Sequence, residues 1–95
     1  GYNVFAIDLE NVLMTHPKVA DCAVIGLPDD TWGEKVTAVV RLNEGETATE
    51  QEIIDFCKER MAGYKSPKAV FFGEVPRTPT GKAIKFLLVE KYSGA

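Results

Sequence analysis

Lys35-Val36-Thr37-Ala38-Val39-Val40-Arg41-Leu42 is the stretch on which the architecture turns. Val36, Ala38, Val40 and Leu42 alternate with Lys35, Thr37 and Arg41, the period of two that marks a half-buried strand. Val39 interrupts the polar side, so that face is expected to be partly covered. Asn43-Glu44-Gly45-Glu46 closes the strand with turn chemistry. Upstream, Cys22 to Leu27 is a continuous apolar run of strand length. Before it, Leu9, Val12 and Leu13 predict a short amphipathic helix from about Asp8 to Thr15, which His16-Pro17 ends. Downstream, Thr49-Glu50-Gln51-Glu52 reads as a capping box, with Thr49 as N-cap and Glu52 reaching back. Ile53, Phe56, Cys57 and Met61 then share a helical face, and Gly63 is expected to stop that helix. A third strand, Ala69 to Val75, leads through a turn into a last helix with Ile84, Leu87 and Leu88 as its apolar stripe. This order of elements predicts an α+β domain, a small sheet of about three strands flanked by helices.

Ninety-five residues make one small domain. With 45% apolar and 26% charged residues, the chain has the composition of a globular protein and not of a disordered one. No run reaches the length of a membrane span and no targeting segment is visible, so a cytoplasmic location is expected. Cys22 and Cys57 sit among apolar residues as small hydrophobes, with a single disulfide left open. Neither has metal-ligand spacing and His16 is the only histidine, so no metal site is expected. The net charge of −3 is unevenly placed: residues 1 to 64 carry five basic and twelve acidic groups, residues 65 to 91 six basic and two acidic. A basic final third on an acidic domain suits a local anion better than a nucleic acid, and a merely solvated face is the plainer alternative.

Within that basic third lies Val75-Pro76-Arg77-Thr78-Pro79-Thr80-Gly81-Lys82-Ala83-Ile84-Lys85. Pro76 and Pro79 restrict φ and stiffen the loop. Gly81 permits close backbone approach or a positive φ. Lys82 would then stand at the head of the last helix, sharing a face with Lys85, as a ready anion contact. The stretch is no nucleotide-phosphate loop of the G-x-x-x-x-G-K-[ST] type, because Pro76 replaces a glycine and Ala83 the hydroxyl residue. On Gly81-Lys82 alone, an ordinary surface lysine remains the alternative.

Four segments together resemble the C-terminal domain of the acyl-adenylate-forming enzymes, the group of acyl- and aryl-CoA ligases, peptide-synthetase adenylation domains and luciferases. Val75 through Lys85 is similar to their final motif, with Thr80 where serine is usual. Gly1 through Glu10 is similar to a second motif, with Ala6 and Asp8 in place of the commoner proline and glutamate. His16 through Asp29 followed by Trp32-Gly33-Glu34, and Gly63 through Lys68, complete an ordered set that spans essentially the whole chain.

The resemblance implies that residues 1–95 form the mobile C-terminal lid of an AMP-forming acid–CoA ligase whose N-terminal domain is absent here. Lys82 would be the catalytic lysine of acyl-AMP formation, reaching into that N-terminal domain. Gly1 would line the passage for the pantetheine thiol. Tyr64 and Lys68 would meet the CoA nucleotide, by stacking and by charge, although Tyr64 could equally pack behind Gly63. Trp32 and Gly33 would add a contact surface if the tryptophan is exposed, and plain core if it is buried. ATP, CoA and a carboxylic acid are the implied substrates, with Mg²⁺ accompanying ATP in the N-terminal domain. Alone, the chain is expected to fold but to catalyse nothing. The rivals are an adenylation domain that loads carrier-protein pantetheine and, from another class, a non-catalytic anion-binding module.

Overall fold

Strands β1 (Val19–Asp29) and β2 (Gly33–Leu42) form an antiparallel pair, and β3 (Ala69–Phe72) joins β2 in parallel, in the order β1-β2-β3. The computed structural model describes residues 3–31 and 33–93, with backbone alone for Asn3, Val4, Phe5 and Tyr64. Helix α1 (Asn3–Met14) precedes the sheet, α2 (Glu50–Arg60) connects β2 to β3, and α3 (Lys85–Ser93) ends the described chain. A parallel neighbour requires such a crossover, and α2 supplies it. The expected α+β architecture with three strands is the one observed.

Both faces of the sheet are covered, which explains the unbroken apolar run in β1. On one face Cys22, Val24, Ala38, Val40 and Val70 pack under Ala6, Leu9 and Leu13 of α1 and Ile53, Ile54 and Cys57 of α2. On the other, Ala23, Ile25, Leu27 and Val39 pack under Val75 and under Leu88 of α3, with Phe71, Val89 and Tyr92 at the margin. Val39 is thus fully buried by the C-terminal segment, and Thr37 beside it is buried as well.

The alternation of faces is interrupted once, by a bulge. The β1–β2 register shifts between Val19 and Asp21, leaving Ala20 as the extra residue. Val19 therefore joins Cys22 and Val24 on the α1 face, although its parity would place it opposite them. Asp21 is turned towards the side on which the C-terminal segment lies.

The two free edges are closed by glutamates from the helices. On β1, the outward N–H of Val24 donates to Glu10 Oε2 at 2.8 Å. On β3, the N–H of Val70 donates to Glu50 Oε2 at 2.9 Å. An exposed strand edge is a template for unwanted pairing, and a carboxylate placed on it removes donors.

Several sequence expectations are corrected. Helix α2 ends at Arg60, with Met61 and Ala62 extended, and Gly63 does not cap it but opens a 3-10 turn (Gly63–Lys65). The capping box is half made: Thr49 Oγ1 accepts from the Glu52 N–H at 3.1 Å, while the Glu52 carboxylate turns to Lys18 at 3.2 Å. Helix α3 starts at Lys85, so Lys82 precedes it and the two lysines share no helical face. The cause is the closing of the loop: Ala83 bridges Arg77, and the Ile84 N–H donates to Pro76 O at 2.8 Å, which keeps both residues out of the helix. Leu87 is 39% exposed and not part of the stripe, which Leu88, Val89 and Tyr92 form instead.

Cys22 and Cys57 are free and buried. Burial pushes the Cys22 thiol up to about 12, helped by the nearby Glu10, and the Cys57 thiol up to about 11. Both thiols should therefore resist an aromatic disulfide reagent at neutral pH until the domain unfolds. Their labelling rate should follow the unfolding transition in urea. Stoichiometric labelling of either cysteine in the absence of denaturant would contradict this packing.

Candidate functional site

The segment from Val75 to Ile84 is a closed loop. Buried Val75 anchors its start in the second core cluster. Arg77 and Ala83 then form an antiparallel bridge, and the Thr78 N–H donates to Lys82 O at 2.8 Å. Thr78 to Gly81 is a four-residue turn, with the Gly81 N–H donating to Thr78 O at 2.9 Å and Pro79 in its second place. Gly81 has φ +93°, and a Cβ there would meet nothing within 4 Å. Glycine is needed for this backbone conformation and not for close approach, as in three-residue hairpin loops that end on a left-handed residue.

Arg77 ties the loop to β1. Its Nε and Nη2 donate to the two carboxylate oxygens of Asp21 at 2.9 and 2.6 Å. Nη2 also reaches Cys22 O at 3.3 Å, and Nη1 donates to Gly81 O at 2.7 Å. The Arg77 guanidinium holds the Asp21 carboxyl below the usual carboxylate range, and Asp21 raises Arg77 in return. Thr78 completes the frame: its Oγ1 accepts from the Lys82 N–H at 3.1 Å and lies 2.9 Å from Thr80 Oγ1.

Lys82 emerges from this frame exposed, and no described residue pairs with its ammonium. Lys85, three residues on, is different, because its Nζ lies 3.0 Å from Glu10 Oε2. That carboxylate also accepts from Val24, so Glu10 links α1, β1 and α3. The loop thus offers an ammonium on a fixed root that is unpaired among the described residues, a group that can bind an anion without first breaking an ion pair with any of them.

The other expected site residues lie elsewhere. Gly33 opens β2 opposite Asp29, at φ +78° with open space around it. Lys68 is exposed just before β3, its N–H donating to Val36 O at 2.8 Å. Tyr64 lies in the 3-10 turn, its side chain undescribed, and the buried Ser66 closes that turn by donating from Oγ to Gly63 O at 2.6 Å. Gly1 and Trp32 lie outside the described residues. Gly33 and Lys68 are at the hairpin end of the sheet, while Asp21, which holds the Lys82 loop, is opposite Arg41 at the far end. The eight residue steps from Asp21 to Asp29 correspond to about 26 Å of strand. The structure therefore does not bring Lys82 together with the residues expected to meet CoA. Among the described residues, no three His, Cys, Asp or Glu side chains gather to hold a metal ion.

Asp21 and Glu10 escaped the sequence reading as site residues. Both lie in quoted motifs, yet nothing in a linear pattern pairs Asp21 with an arginine 56 positions away.

Comparison with known proteins agrees with these segments. The model of the AMP-binding enzyme C-terminal domain family matches residues 8–82. A long-chain-fatty-acid–CoA ligase of Mycobacterium tuberculosis is 47% identical over 94 residues, covering 98% of this chain and 18% of the relative. A 4-hydroxybutyrate–CoA ligase of Metallosphaera sedula is 50% identical over 88 residues, covering 93% of this chain and 16% of the relative. A solved fatty acyl CoA synthetase of Mycobacterium tuberculosis superposes with a TM-score of 0.82 at 46% identity, over 90% of this chain and 17% of that one. The chain thus spans less than a fifth of the length of the relatives it matches.

The Asp21–Arg77 pair has a pH signature. Because the folded Asp21 carboxyl titrates below its unfolded value of about 3.9, its contribution is complete above that pH and is lost as pH falls through the folded value. Asp21→Asn should cost about 1 kcal/mol at pH 7, a modest figure because the pair is partly solvated. The gap to the unsubstituted domain, measured by urea denaturation, should close on acidification below about pH 4. A gap unchanged down to the acid limit would remove the carboxylate charge as its source.

Proposed function

This chain belongs to the AMP-binding enzyme C-terminal domain family, and we propose that it is the lysine-bearing domain of an ATP-dependent, AMP-forming acid–CoA ligase. In the first half-reaction a carboxylate oxygen attacks the α-phosphorus of ATP, giving acyl-AMP and releasing pyrophosphate. In the second, the CoA sulfur attacks the acyl carbon and AMP leaves. The observation that carries the proposal is Lys82 itself, an unpaired ammonium on an anchored loop within the matched region.

The first step gathers anionic groups, the carboxylate and the phosphates, at one place. A protonated lysine can touch a carboxylate oxygen and a phosphate oxygen together, lowering their repulsion and aligning them without transferring a proton. In this proposal the acyl pocket, the phosphate loop and the Mg²⁺ that travels with ATP belong to the large N-terminal part outside this chain. The second step uses the other end of the sheet, with Tyr64 and Lys68 towards the CoA nucleotide, Trp32 and Gly33 as a contact surface, and Gly1 along the passage for the pantetheine thiol. Groups five to eight residue steps from Asp21 along β1, roughly 17 to 26 Å, suit a domain that presents one end and then, after rotating, the other. By itself the chain should neither exchange pyrophosphate with ATP nor form a thioester.

In the full-length protein, Lys82→Ala should slow acyl-AMP formation by roughly 10²- to 10³-fold, the scale of one preorganised electrostatic contact. Thioester formation from supplied acyl-AMP and CoA should stay near the unsubstituted rate. Lys82→Arg should rescue poorly, since a planar fork cannot replace a compact ammonium. Equal losses in both half-reactions would reduce Lys82 to a support of the fold. A second measurement addresses the other station: Lys68→Ala should raise the KM for CoA and leave pyrophosphate exchange intact. CoA kinetics unchanged in that variant would withdraw Lys68 from the site.

A further inference from the structure

We infer that Asp21 and Arg77 are positioning residues that hold the root of Lys82 in its working place, an inference that rests on the function proposed above. A fold staple between β1 and the C-terminal segment would need only the two bonds from Arg77 to Asp21. Arg77 makes a further one. Its Nη1 donates to Gly81 O, the carbonyl of the peptide that enters Lys82. The N–H of that same peptide donates to Thr78 Oγ1, and Lys82 O accepts from the Thr78 N–H. Three of the four backbone polar atoms in the two peptides flanking the Lys82 Cα are therefore engaged, two by the residue next to Arg77 and one by Arg77 itself.

The other end of this chain of contacts is firm. Asp21 stands in β1, which pairs with β2 along nearly its whole length, and by alternation with Ala23 and Ile25 it faces the side on which the loop lies. Its carboxylate also accepts from the Cys22 N–H at 2.9 Å, so both oxygens are engaged within the strand and the fork. The Arg77 Nη2 contact to Cys22 O adds a second tie to the same strand. Position is thus transmitted from the paired sheet, through a planar five-donor group, to the peptide before Lys82. A lysine cannot repeat this, because its ammonium has no fixed fork with which to span two carboxylate oxygens and a carbonyl. The long flexible Lys82 side chain gains most from such an arrangement, since only its root can be fixed while its tip stays free for the anion.

The test uses the full-length enzyme and three single variants, Arg77→Lys, Asp21→Asn and Lys82→Ala, with the double variants Arg77→Lys/Lys82→Ala and Asp21→Asn/Lys82→Ala. Arg77→Lys and Asp21→Asn should each lower the turnover of acyl-AMP formation by about 10- to 100-fold, the scale expected when a reacting group is misplaced by about an ångström. The KM values for acid and ATP and the rate of thioester formation from supplied acyl-AMP should change less than about twofold, as expected for loss of an interaction confined to one transition state. In the Lys82→Ala background neither substitution should cause further loss, because a positioning residue has nothing left to position. Thr78→Val, nearly isosteric and without the hydroxyl that accepts from the Lys82 N–H, should reproduce the pattern if the Asp21 and Arg77 variants prove unstable. Losses in both half-reactions, losses that persist without Lys82, or no loss in the first half-reaction would each overturn the inference while leaving the role of Lys82 standing. An unaffected first half-reaction in Lys82→Ala would instead overturn the proposed function, and the inference with it.

Discussion

The bidentate contact between Arg77 and Asp21 is the constraint around which this domain is organised. A guanidinium and a carboxylate meet along two hydrogen bonds, so their relative orientation is set as well as their distance. Through it the C-terminal third, which carries the excess of positive charge, is registered against a strand from the acidic first third. Without that registration, Val75 and α3 could still cover the second face of the sheet by apolar contact alone. Apolar contact is non-directional, however, and would leave the loop between them free to take many conformations.

The same contact helps to solve a problem general to small open sheets. With the order β1-β2-β3, two of three strands are edges. Charged side chains meet the outward groups described above: Glu10 and Asp21 take N–H groups of β1, Arg77 takes a carbonyl, and Glu50 takes an N–H of β3. Glu10 does this while pairing with Lys85, which stands in the first turn of α3 where a cation opposes the helix dipole. Protection of the edges and placement of the Lys82 loop thus draw on one set of charges.

Much of the fold was legible because it follows local periodicity. The alternation of Val36 to Leu42, the apolar run of Cys22 to Leu27 and the Thr49 cap each specify an element from neighbours in the chain. The errors arose at the ends of helices, once where the helix stopped early and once where contacts across a loop overrode a helical start. Gly63 resembled a helix stop, yet the chain leaves α2 extended at Met61 and reaches Gly63 only afterwards. Lys82 to Ile84 looked like a helix start, but the bonds of Ile84 to Pro76 and of Lys82 to Thr78 keep them out of the helix. At the candidate site, the lysine was legible from its motif and the glycine from its turn chemistry. Asp21 was not, because nothing near it in the chain marks the arginine 56 positions on as its partner.

The division of the core into two faces bears on how the chain is made. Every residue of the first face, from Ala6 to Val70, has been synthesised before Arg77 appears, so α1, the sheet and α2 can assemble on a growing chain. Ala23, Ile25, Leu27 and Val39 then form a bare apolar surface until Val75 and Leu88 have emerged. Such a surface is prone to self-association at the concentrations found in cells. The last two dozen residues therefore have a double duty in biogenesis: they deliver the lysine, and they shield a half-finished sheet from its copies. A nascent chain stalled within the Lys82 loop would be a client for chaperones.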